Sequence, residues 1–245
     1  MSVSVSSSGG RRVRVGWLML ALGAALGSMA LAQDDGSVGE ATPVEEAPEP
    51  VSTRTYTLDV ADSWIYVVIF NDNDRWTPVT GHDHGIRATT FTGTVSWNAE
   101  DAGACKVDIR VPYSGLRVDP QGMRERLGFS AEGAISENQK SKVVGNMLGR
   151  SQLDSGNFGE VRFVSDSCSG TTGTVDVTGV MTLKGVAKRL TIPMKVSQEG
   201  DLFRASGTLT LGHADFGMKP FTYGPGTPKN QEKLTFGVDV VGKAN

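Results

Sequence analysis

Apolar and polar residues alternate one by one along successive segments of the chain from residue 56 onward. The clearest segment runs from Cys105 to Val111, where every second residue is apolar and the residues between are polar. Because successive side chains of a β-strand point to opposite faces of the sheet, this period predicts strands with one apolar and one solvated face. Such strands are typical of antiparallel sheets that pack on one side. Repeated over about eight segments, the pattern favours an all-β fold, either a closed barrel or a sandwich.

One segment departs from this alternation. Residues 64–70 read Trp-Ile-Tyr-Val-Val-Ile-Phe and are apolar on both faces of the predicted strand. A continuous apolar run of this length is typical of a strand that is buried on both sides. We therefore expect another element to cover this strand on the outside of the sheet.

The stretch between residues 117 and 160 lacks the two-residue period and predicts helix instead. Ser136, followed three residues later by Gln139, is the signature of a helix start with a capping box. A shorter helical turn is expected over 119–127. The longer helix is amphipathic, and we expect it to cap one open end of a barrel as a lid. Its candidate lid residues are Val143, Val144, Met147 and Leu148.

The first 32 residues have the features of a secretory signal peptide. Three arginines precede an uncharged run over 15–32, which ends in Ala-Leu-Ala. Cleavage before Gln33 would leave an acidic, Pro-rich and Glu-rich flexible linker over 33–54 and one domain over 55–245. Retention of the run as a membrane anchor is the alternative, which its small residues disfavour. The chain is therefore expected to be periplasmic or secreted, with no stable membrane insertion after cleavage.

The charge balance argues against one class of partner. Of the 24 basic and 27 acidic residues, three basic residues lie in 1–32 and six acidic residues in 33–53, so that equal numbers remain beyond residue 53. A domain without a basic excess does not neutralise a phosphate backbone, so nucleic acid is not an expected partner. A small apolar or neutral ligand is expected instead. The sequence does not determine the oligomeric state.

Three motifs, in this order and spacing, resemble the YceI family of exported, lipocalin-like proteins over most of 55–242. They are Tyr-Thr-Leu-Asp at 56–59, Gly-Val-Met-Thr-Leu-Lys-Gly-Val at 179–186, and Asp-Phe-Gly-Met at 215–218. The resemblance implies an antiparallel up-and-down barrel of about eight strands around a long apolar tunnel. Family members with a known ligand hold a polyisoprenoid chain. This chain departs from the family at His213-Ala214, where Arg-Ser is frequent, and in a longer helical insertion.

A barrel of about eight strands is either filled by side chains or just wide enough for one small ligand. The inward positions here are mostly Val, Ile, Leu and Met rather than the larger Phe and Trp, which favours room for a ligand. The alternative is that the same residues form an ordinary filled core. The candidate tunnel-lining residues are Ile65, Val67, Ile69, Val107, Ile109, Val111, Phe163, Met181, Leu183, Ile192 and Phe236.

The chain has three histidines, His82, His84 and His213. On a strand, His82 and His84 would share one face about 7 Å apart. This spacing is close enough for a metal ion shared with His213 or a carboxylate. The first alternative is that this His-rich turn resembles the family's own motif near the first hairpin, which implies that histidine bonds to the backbone or to a ligand headgroup. The second alternative is that the histidines are exposed and have no role. The sequence contains no Gly-x-Ser-x-Gly, no Gly-x-x-x-x-Gly-Lys-Ser/Thr and no Cys-x-x-Cys motif. We expect no catalysis, no cofactor and no stoichiometric metal.

The two cysteines, Cys105 and Cys168, are expected to form a disulfide in an oxidising compartment. If the strand that begins at Cys105 pairs antiparallel with the strand that ends at Cys168, facing residues have indices that sum to about 273, and the cysteines face each other. Their inward and outward phases differ, so this pairing requires a bulge near the strand end. Two inert thiols are the alternative.

These observations lead to three hypotheses of function. The first is an exported binding protein that holds a long apolar ligand, an isoprenoid or another lipid, in a barrel tunnel without catalysis. The second is a metal-binding protein or enzyme that uses the three histidines. The third is a filled barrel with a structural or stress-related interaction role. We favour the first because the one-sided strand pattern and the family resemblance both agree with it.

Overall fold

The computed structural model describes residues 52–72, 81–171, 173–222, 224, 227 and 229–245. The predicted signal peptide and nearly all of the predicted acidic linker lie outside these residues. Within them the chain forms eleven β-strands and two α-helices. The elements are β1 Arg54–Leu58, β2 Trp64–Asn71, β3 His84–Ala88, β4 Thr92–Trp97, β5 Lys106–Pro112, β6 Leu116–Val118, α1 Met123–Leu127, α2 Glu137–Leu148, β7 Glu160–Thr171, β8 Thr174–Leu183, β9 Val186–Glu199, β10 Leu202–Gly212 and β11 Asn230–Ala244.

Eight of the strands form a closed antiparallel ring in the order β1, β4, β5, β7, β8, β9, β10 and β11. The ring closes because β11 also pairs with β1, with Gly242 opposite Leu58. Closure pairs the strands that would otherwise lie at the edges of the sheet. The expected all-β antiparallel barrel with a helical insertion is confirmed, and the sandwich is not formed.

The other three strands arise because the first strands of the barrel are interrupted. β1 pairs with residues 242–244 of β11, and β2 pairs with residues 230–239 of the same strand. Between β1 and β2 the carboxylate of Asp59 accepts hydrogen bonds from the amides of Ala61 and Asp62 and so forms a turn. β3 and β6 follow outward from β2 in the same sheet. One end of the barrel is therefore built from short strand segments.

The outer face of β2 is covered, as its two apolar faces predict. α1 packs across β2 and β3 so closely that a Cβ atom on Gly85 would lie 2.6 Å from the side chain of Met123. Beside it, the guanidinium groups of Arg87 and Arg126 lie 3.5 Å and 4.8 Å from the ring centroid of Trp64. The outward side of the Trp64 ring is thus covered by the guanidinium groups of Arg87 and Arg126, which also keep contact with solvent.

α2 begins with the predicted cap. The hydroxyl of Ser136 accepts a hydrogen bond from the amide of Gln139 at 3.4 Å, and Oε1 of Gln139 accepts one from the amide of Ser136 at 2.8 Å. No side chain of this helix is fully buried. Because it removes little apolar surface from water, we expect α2 to be held less firmly than the strands. Among the described residues, no helix combines the length and the hydropathy needed to cross a membrane.

Cys105 and Cys168 form the expected disulfide, with their Cα atoms 5.8 Å apart. β5 and β7 pair one position away from the expected register, since Ile109 faces Phe163. The bulge that the cysteine pairing required is present in β7, where the register against β8 shifts between Ser165 and Ser167. The extra residue turns the following side chains to the opposite face, so that Cys168 points inward and is buried.

The glycines of the 179–186 hairpin are required by close packing. A Cβ atom on Gly179 would lie 2.3 Å from the carbonyl oxygen of Val164 and 2.7 Å from the ring of Phe163. At the turn, Gly185 has a φ of 73°, which favours glycine. Because Gly179 has no side chain, the ring of Phe163 fits beside it on the inside of the barrel.

Candidate functional site

Three adjoining cavities run along the inside of the barrel. The first chamber, of about 130 Å³, lies at the disulfide end, which is the end that holds the two cysteines. The second chamber, of about 140 Å³, shares walls with the first, including Met181 and Phe236. The vestibule, of about 320 Å³, lies against α2 at the helix end and shares Met147 and His213 with the second chamber. Because neighbouring cavities have common walls, they form one row, which we call the tunnel.

All eleven residues selected from the sequence as tunnel-lining lie in the walls of the two chambers. The walls of the first chamber contain Val107, Ile109, Phe163 and Ile192. Both chambers share Ile65, Val111, Met181 and Phe236. The walls of the second chamber also contain Val67, Ile69 and Leu183. The two-residue alternation assigned the wall residues outside β2 to the inner face, whereas Ile65, Val67 and Ile69 lie in the segment that is apolar on both faces.

The walls also contain residues that the sequence analysis did not select. Trp97 and Phe203 line the first chamber, and the alternation within β4 and β10 was a signal that could have found them. Gly237 is also part of this wall, and a Cβ atom there would lie 2.2 Å from the Tyr66 ring. No sequence signal shows that this glycine accommodates a ring, because the register between β2 and β11 decides it.

The tunnel changes in character along its length. The two chambers are walled almost entirely by apolar side chains. The vestibule has many polar residues in its wall, which are Asn71, His82, His84, Gln139, Lys142, Asn146, Gln152, His213 and Asn230. The tunnel is therefore apolar at the disulfide end and polar at the helix end.

The buried carboxylate of Asp119 orients His84. Nδ1 of His84 lies 2.8 Å from Oδ2 of Asp119, whose side chain is 1% exposed, and the guanidinium of Arg124 lies 3.6 Å from the same oxygen. The other carboxylate oxygen accepts a hydrogen bond from the amide of Gly85 at 2.8 Å. Burial by itself raises the pKa of Asp119, but the hydrogen bonds from His84 and Gly85 and the charge of Arg124 outweigh it and lower the pKa. Since Nδ1 is occupied, Nε2 is the ring nitrogen of His84 that can contact a bound group.

The structure brings the three histidines to the wall of the vestibule. Nδ1 of His213 lies 2.9 Å from the carbonyl oxygen of Glu232, so Nδ1 carries a proton and donates it to that bond. The ring centroids of His82 and His84 are 6.4 Å apart. In the described part of the chain, no three His, Cys, Asp or Glu side chains are grouped closely enough to hold a metal ion.

The four lid residues take different positions. Val143 and Met147 line the vestibule, and Met147 also reaches the second chamber. Leu148 packs against the buried residues around Phe216, and Val144 lies in none of the three walls. Polar residues of α2, among them Lys142, also face the vestibule. Sequence reasoning missed them because it assigned the polar residues of the helix to solvent.

The sequence matches the profile of the YceI-like domain over residues 56–241. Since this match covers most of the chain, the protein belongs to the YceI family, a family of barrels that bind small hydrophobic ligands. A search of curated proteins found no match.

Solved structures that are similar to this chain include two bacterial proteins. BcnA of Burkholderia cenocepacia is 16% identical, with a TM-score of 0.56 and with 75% of this chain and 98% of that chain covered. The YceI protein of Campylobacter jejuni is 10% identical, with a TM-score of 0.48 and with 70% and 89% covered. At 16% identity the likeness to BcnA shows the fold alone.

Proposed function

We propose that this chain is an exported binding protein that holds a long apolar ligand, an isoprenoid or another lipid, in the barrel tunnel and performs no chemistry on it. The observation that carries the proposal is the tunnel itself, with two apolar chambers followed by a polar vestibule. Taken together, the three cavities fall within the range of roughly 300–1,000 Å³ that is usual for ligand pockets. The cavities also argue against a filled barrel.

The two chambers supply the affinity for an apolar chain. Apolar surface removed from water contributes about 25 cal/mol per Å², and an apolar chain has no hydrogen bonds to lose there. Met181 and Met194 line the first chamber, and Met218 lines the second. Because methionine is unbranched and flexible, these side chains adapt to a bent or branched ligand. This flexibility suits a long chain better than a compact rigid ligand.

The vestibule suits the polar end of such a ligand. His84, His213 and Lys142 lie in one wall of the vestibule. The ammonium group of Lys142 donates hydrogen bonds to oxygen atoms of a headgroup. The neutral rings of His84 and His213 carry their proton on Nδ1, so their Nε2 atoms accept a hydrogen bond from a headgroup hydroxyl. We assign His82, His84 and His213 to headgroup contact, with Asp119 fixing the orientation of His84.

The helix end is the route by which a ligand enters and leaves. α2 lies across the vestibule and has no fully buried side chain. An element with little buried apolar surface opens at a lower cost than a barrel strand. Val143 and Met147 act as the lid residues, because they are the apolar side chains of α2 that face the tunnel.

The place of action is the periplasm or the exterior of the cell. Residues 1–32 act as the export signal, and 33–54 as a flexible linker with no stable membrane insertion after cleavage. The Cys105–Cys168 disulfide supports an oxidising compartment. N-terminal sequencing of the exported protein is expected to begin at or near Gln33, and an intact Met1 would contradict cleavage.

Organic extraction of natively purified protein, followed by mass spectrometry, tests the binding function. The expected result is one class of long-chain apolar molecule in near-stoichiometric amount. Ile192→Trp fills the first chamber and is expected to yield little of it. Lys195→Trp, on the exposed face of the same strand, is the matched control and is expected to yield the wild-type amount. An empty wild-type extract, or equal yields from both variants, would contradict the proposal.

A further inference from the structure

Two polar side chains lie where the apolar part of the tunnel meets its polar part. The described walls of the second chamber and the vestibule have five residues in common, which are Ile69, Ile86, Met147, Gln152 and His213. We call this shared wall the junction, and its polar side chains are those of Gln152 and His213. His213 is 2% exposed, so a ligand group that binds against its ring is removed from bulk water.

A nitrogen of each of these two side chains is held by a backbone carbonyl. Nδ1 of His213 donates to the carbonyl oxygen of Glu232 at 2.9 Å, and Nε2 of Gln152 donates to that of Lys219 at 3.0 Å. In the neutral imidazole the proton is therefore on Nδ1, and Nε2 of His213 is an acceptor. Within the described residues, neither this nitrogen nor Oε1 of Gln152 has a hydrogen-bond partner.

The free acceptor of His213 is accessible from the tunnel. In the described part of the chain, the polar side-chain atoms that are both unpaired and closed to solvent are the hydroxyl of Tyr56, Nε of Arg87 and Nε1 of Trp97. Nε2 of His213 is also unpaired but is not closed off in this way. Because His213 is almost wholly buried and lies in the walls of two cavities, the surface that Nε2 retains belongs to the tunnel wall.

The short turn after β10 that carries His213 is held in place by its own contacts. Oδ2 of Asp215 accepts a hydrogen bond from the amide of Gly212 at 2.8 Å, and Oδ1 lies 2.7 Å from Nζ of Lys188 on β9. The next residue, Phe216, is fully buried. An acceptor on a turn that is held in this way loses little freedom when a ligand binds, which favours one specific hydrogen bond.

We propose that the junction is an acceptor site, which selects ligands with a hydrogen-bond donor, a hydroxyl or an amide N–H, at the start of the apolar chain. This inference rests on the proposed function and adds the class of ligand, which is a neutral long-chain alcohol or amide rather than an ether or a ketone. The donor of such a ligand pairs with Nε2 of His213. An ether or a ketone has only lone pairs to offer there and leaves Nε2 unpaired.

Isomeric probes test the acceptor site. The probes are unbranched primary alcohols of increasing length and the methyl ethers of the same formula, which contain the same atoms but no donor. Water solvates an alcohol better than the isomeric ether, so a tunnel without an acceptor binds the ether more tightly. At the length that fits the tunnel, the wild-type protein is expected to bind the alcohol roughly tenfold more tightly than the ether. Binding is measured at about pH 8, where unperturbed imidazole is neutral.

Substitutions at residue 213 assign the preference to its ring. His213→Asn keeps a donor for the carbonyl of Glu232 but removes the acceptor at Nε2, and it is expected to bring the ratio of the two affinities to one or below. His213→Arg introduces a residue that is frequent at this position in the family and that only donates, with the same expected loss. Thr210→Asn, on the exposed face of β10, is the matched control and is expected to keep the preference.

Nitrogen NMR of wild-type protein with labelled histidine gives a readout that needs no substitution and decides the matter if the variants do not fold. The signal of Nε2 of His213 is expected to move when the alcohol binds and to stay in place when the ether binds. An Nε2 signal that responds equally to both probes would overturn the acceptor site.

The outcomes separate this inference from the proposed function. If the wild-type protein binds the ether as tightly as the alcohol, or more tightly, at every length, the acceptor site is overturned and the proposed function stands. A preference for the alcohol that survives in both variants of His213 also overturns the acceptor site. If alcohols and ethers of every length fail to bind, both the acceptor site and the proposed function are contradicted.

Discussion

The two ends of the barrel are held together by different physical means. At the disulfide end, the ring of strands is closed by the pairing of β1 with β11, a disulfide joins the residue before β5 to β7, and three buried aromatic rings pack together. At the helix end, the wall is built from β2, β3 and the three-residue β6, and is covered by α2. A covalent bond and buried rings hold one end together, whereas polar contacts and a helix without fully buried side chains cover the other.

This difference teaches how one barrel combines retention with exchange. The Asp119 network consists of the contacts of the Asp119 carboxylate with Gly85 of β3 and Arg124 of α1. These polar contacts link two elements at the helix end, as the disulfide links two segments of the chain at the other end. The apolar walls of the first chamber would remove a bound chain from water. An end with little buried apolar surface opens at a low energetic cost. Substitutions confined to one end therefore test each end separately.

The largest effect is expected from removal of the disulfide. The bond joins residues 63 apart in sequence, and its loss in Cys105→Ala combined with Cys168→Ala is expected to lower the free energy of unfolding by about 4 kcal/mol. Denaturant unfolding of the wild type and the variant measures this loss. Wild-type protein treated with reductant is the control and is expected to approach the variant. Two thiols that can be alkylated in the exported protein without reductant would show that the bridge is absent.

A smaller loss is expected from Asp119→Asn, which weakens the polar network at the helix end. His84 and Arg124 lose a buried charged partner, so the free energy of unfolding at neutral pH is expected to fall by about 2–3 kcal/mol. Denaturant unfolding measures it. Asp176→Asn replaces an exposed carboxylate on β8 and is expected to stay within about 0.5 kcal/mol of wild type.

The same network predicts a pH dependence with a definite sign. The pKa of Asp119 is lowered in the folded protein, so its stabilising contribution is fully present above the ordinary aspartate pKa of about 3.9. That contribution is lost as the pH falls through the lowered pKa of the folded state. Unfolding free energy measured from neutral to acidic pH is therefore expected to decline more steeply in wild type than in Asp119→Asn. If the unfolding free energy declined equally with pH in both proteins, the lowered pKa of Asp119 would be contradicted.

A change in the lid is expected to affect ligand retention more than stability. Met147→Asp places a charge between the vestibule and the second chamber and is expected to speed ligand release roughly tenfold, which corresponds to about 1.4 kcal/mol. Val144→Asp alters the same helix outside the three walls and is the matched control. Hydrogen exchange is expected to be faster in α2 than in β8. Equal protection of α2 and β8 from hydrogen exchange would contradict the role of α2 as a lid.

The smallest effect is expected from the histidines, and it separates headgroup contact from metal binding. Purified protein is expected to contain no stoichiometric metal, and His82→Ala combined with His84→Ala is expected to leave its metal content unchanged. Elemental analysis of the wild type and the double variant measures this. One zinc or copper ion per chain that disappears in the double variant would favour the histidine-dependent alternative.

Much of the tunnel wall could be predicted from the sequence, because the two-residue alternation depends only on residues that are close together in the chain. Side chains two residues apart share a face of a strand, so alternation alone assigned Val107, Ile109 and Val111 to the inside of the barrel. The capping box at Ser136 was also readable, because its bonding groups lie three residues apart. The disulfide was found in the same way, through strand ends and side-chain phase, although the register was one position off.

Other features depended on contacts between residues far apart in the chain. The polar side of the vestibule forms because β2, β3, α2 and β11 meet there, and no single segment shows that meeting. The role of Asp119 is visible only once β6 lies beside β3. The division of α2 between Met147, which faces the tunnel, and Val144, which does not, follows from how the helix docks. An amphipathic pattern defines a broad apolar face rather than a single line of contact.

The sequence by itself determined the class of fold, the inner face of the alternating strands, the start of the lid helix and the pairing of the two cysteines. Each depends on spacing along the chain, where the backbone geometry converts residue number directly into direction. The tertiary structure decided that the barrel contains cavities, that the cavities run from apolar to polar, and that Trp97 and Tyr56 are buried without partners. Empty space and unpaired donors depend on how distant side chains fill a common volume, and packing in three dimensions sets that volume.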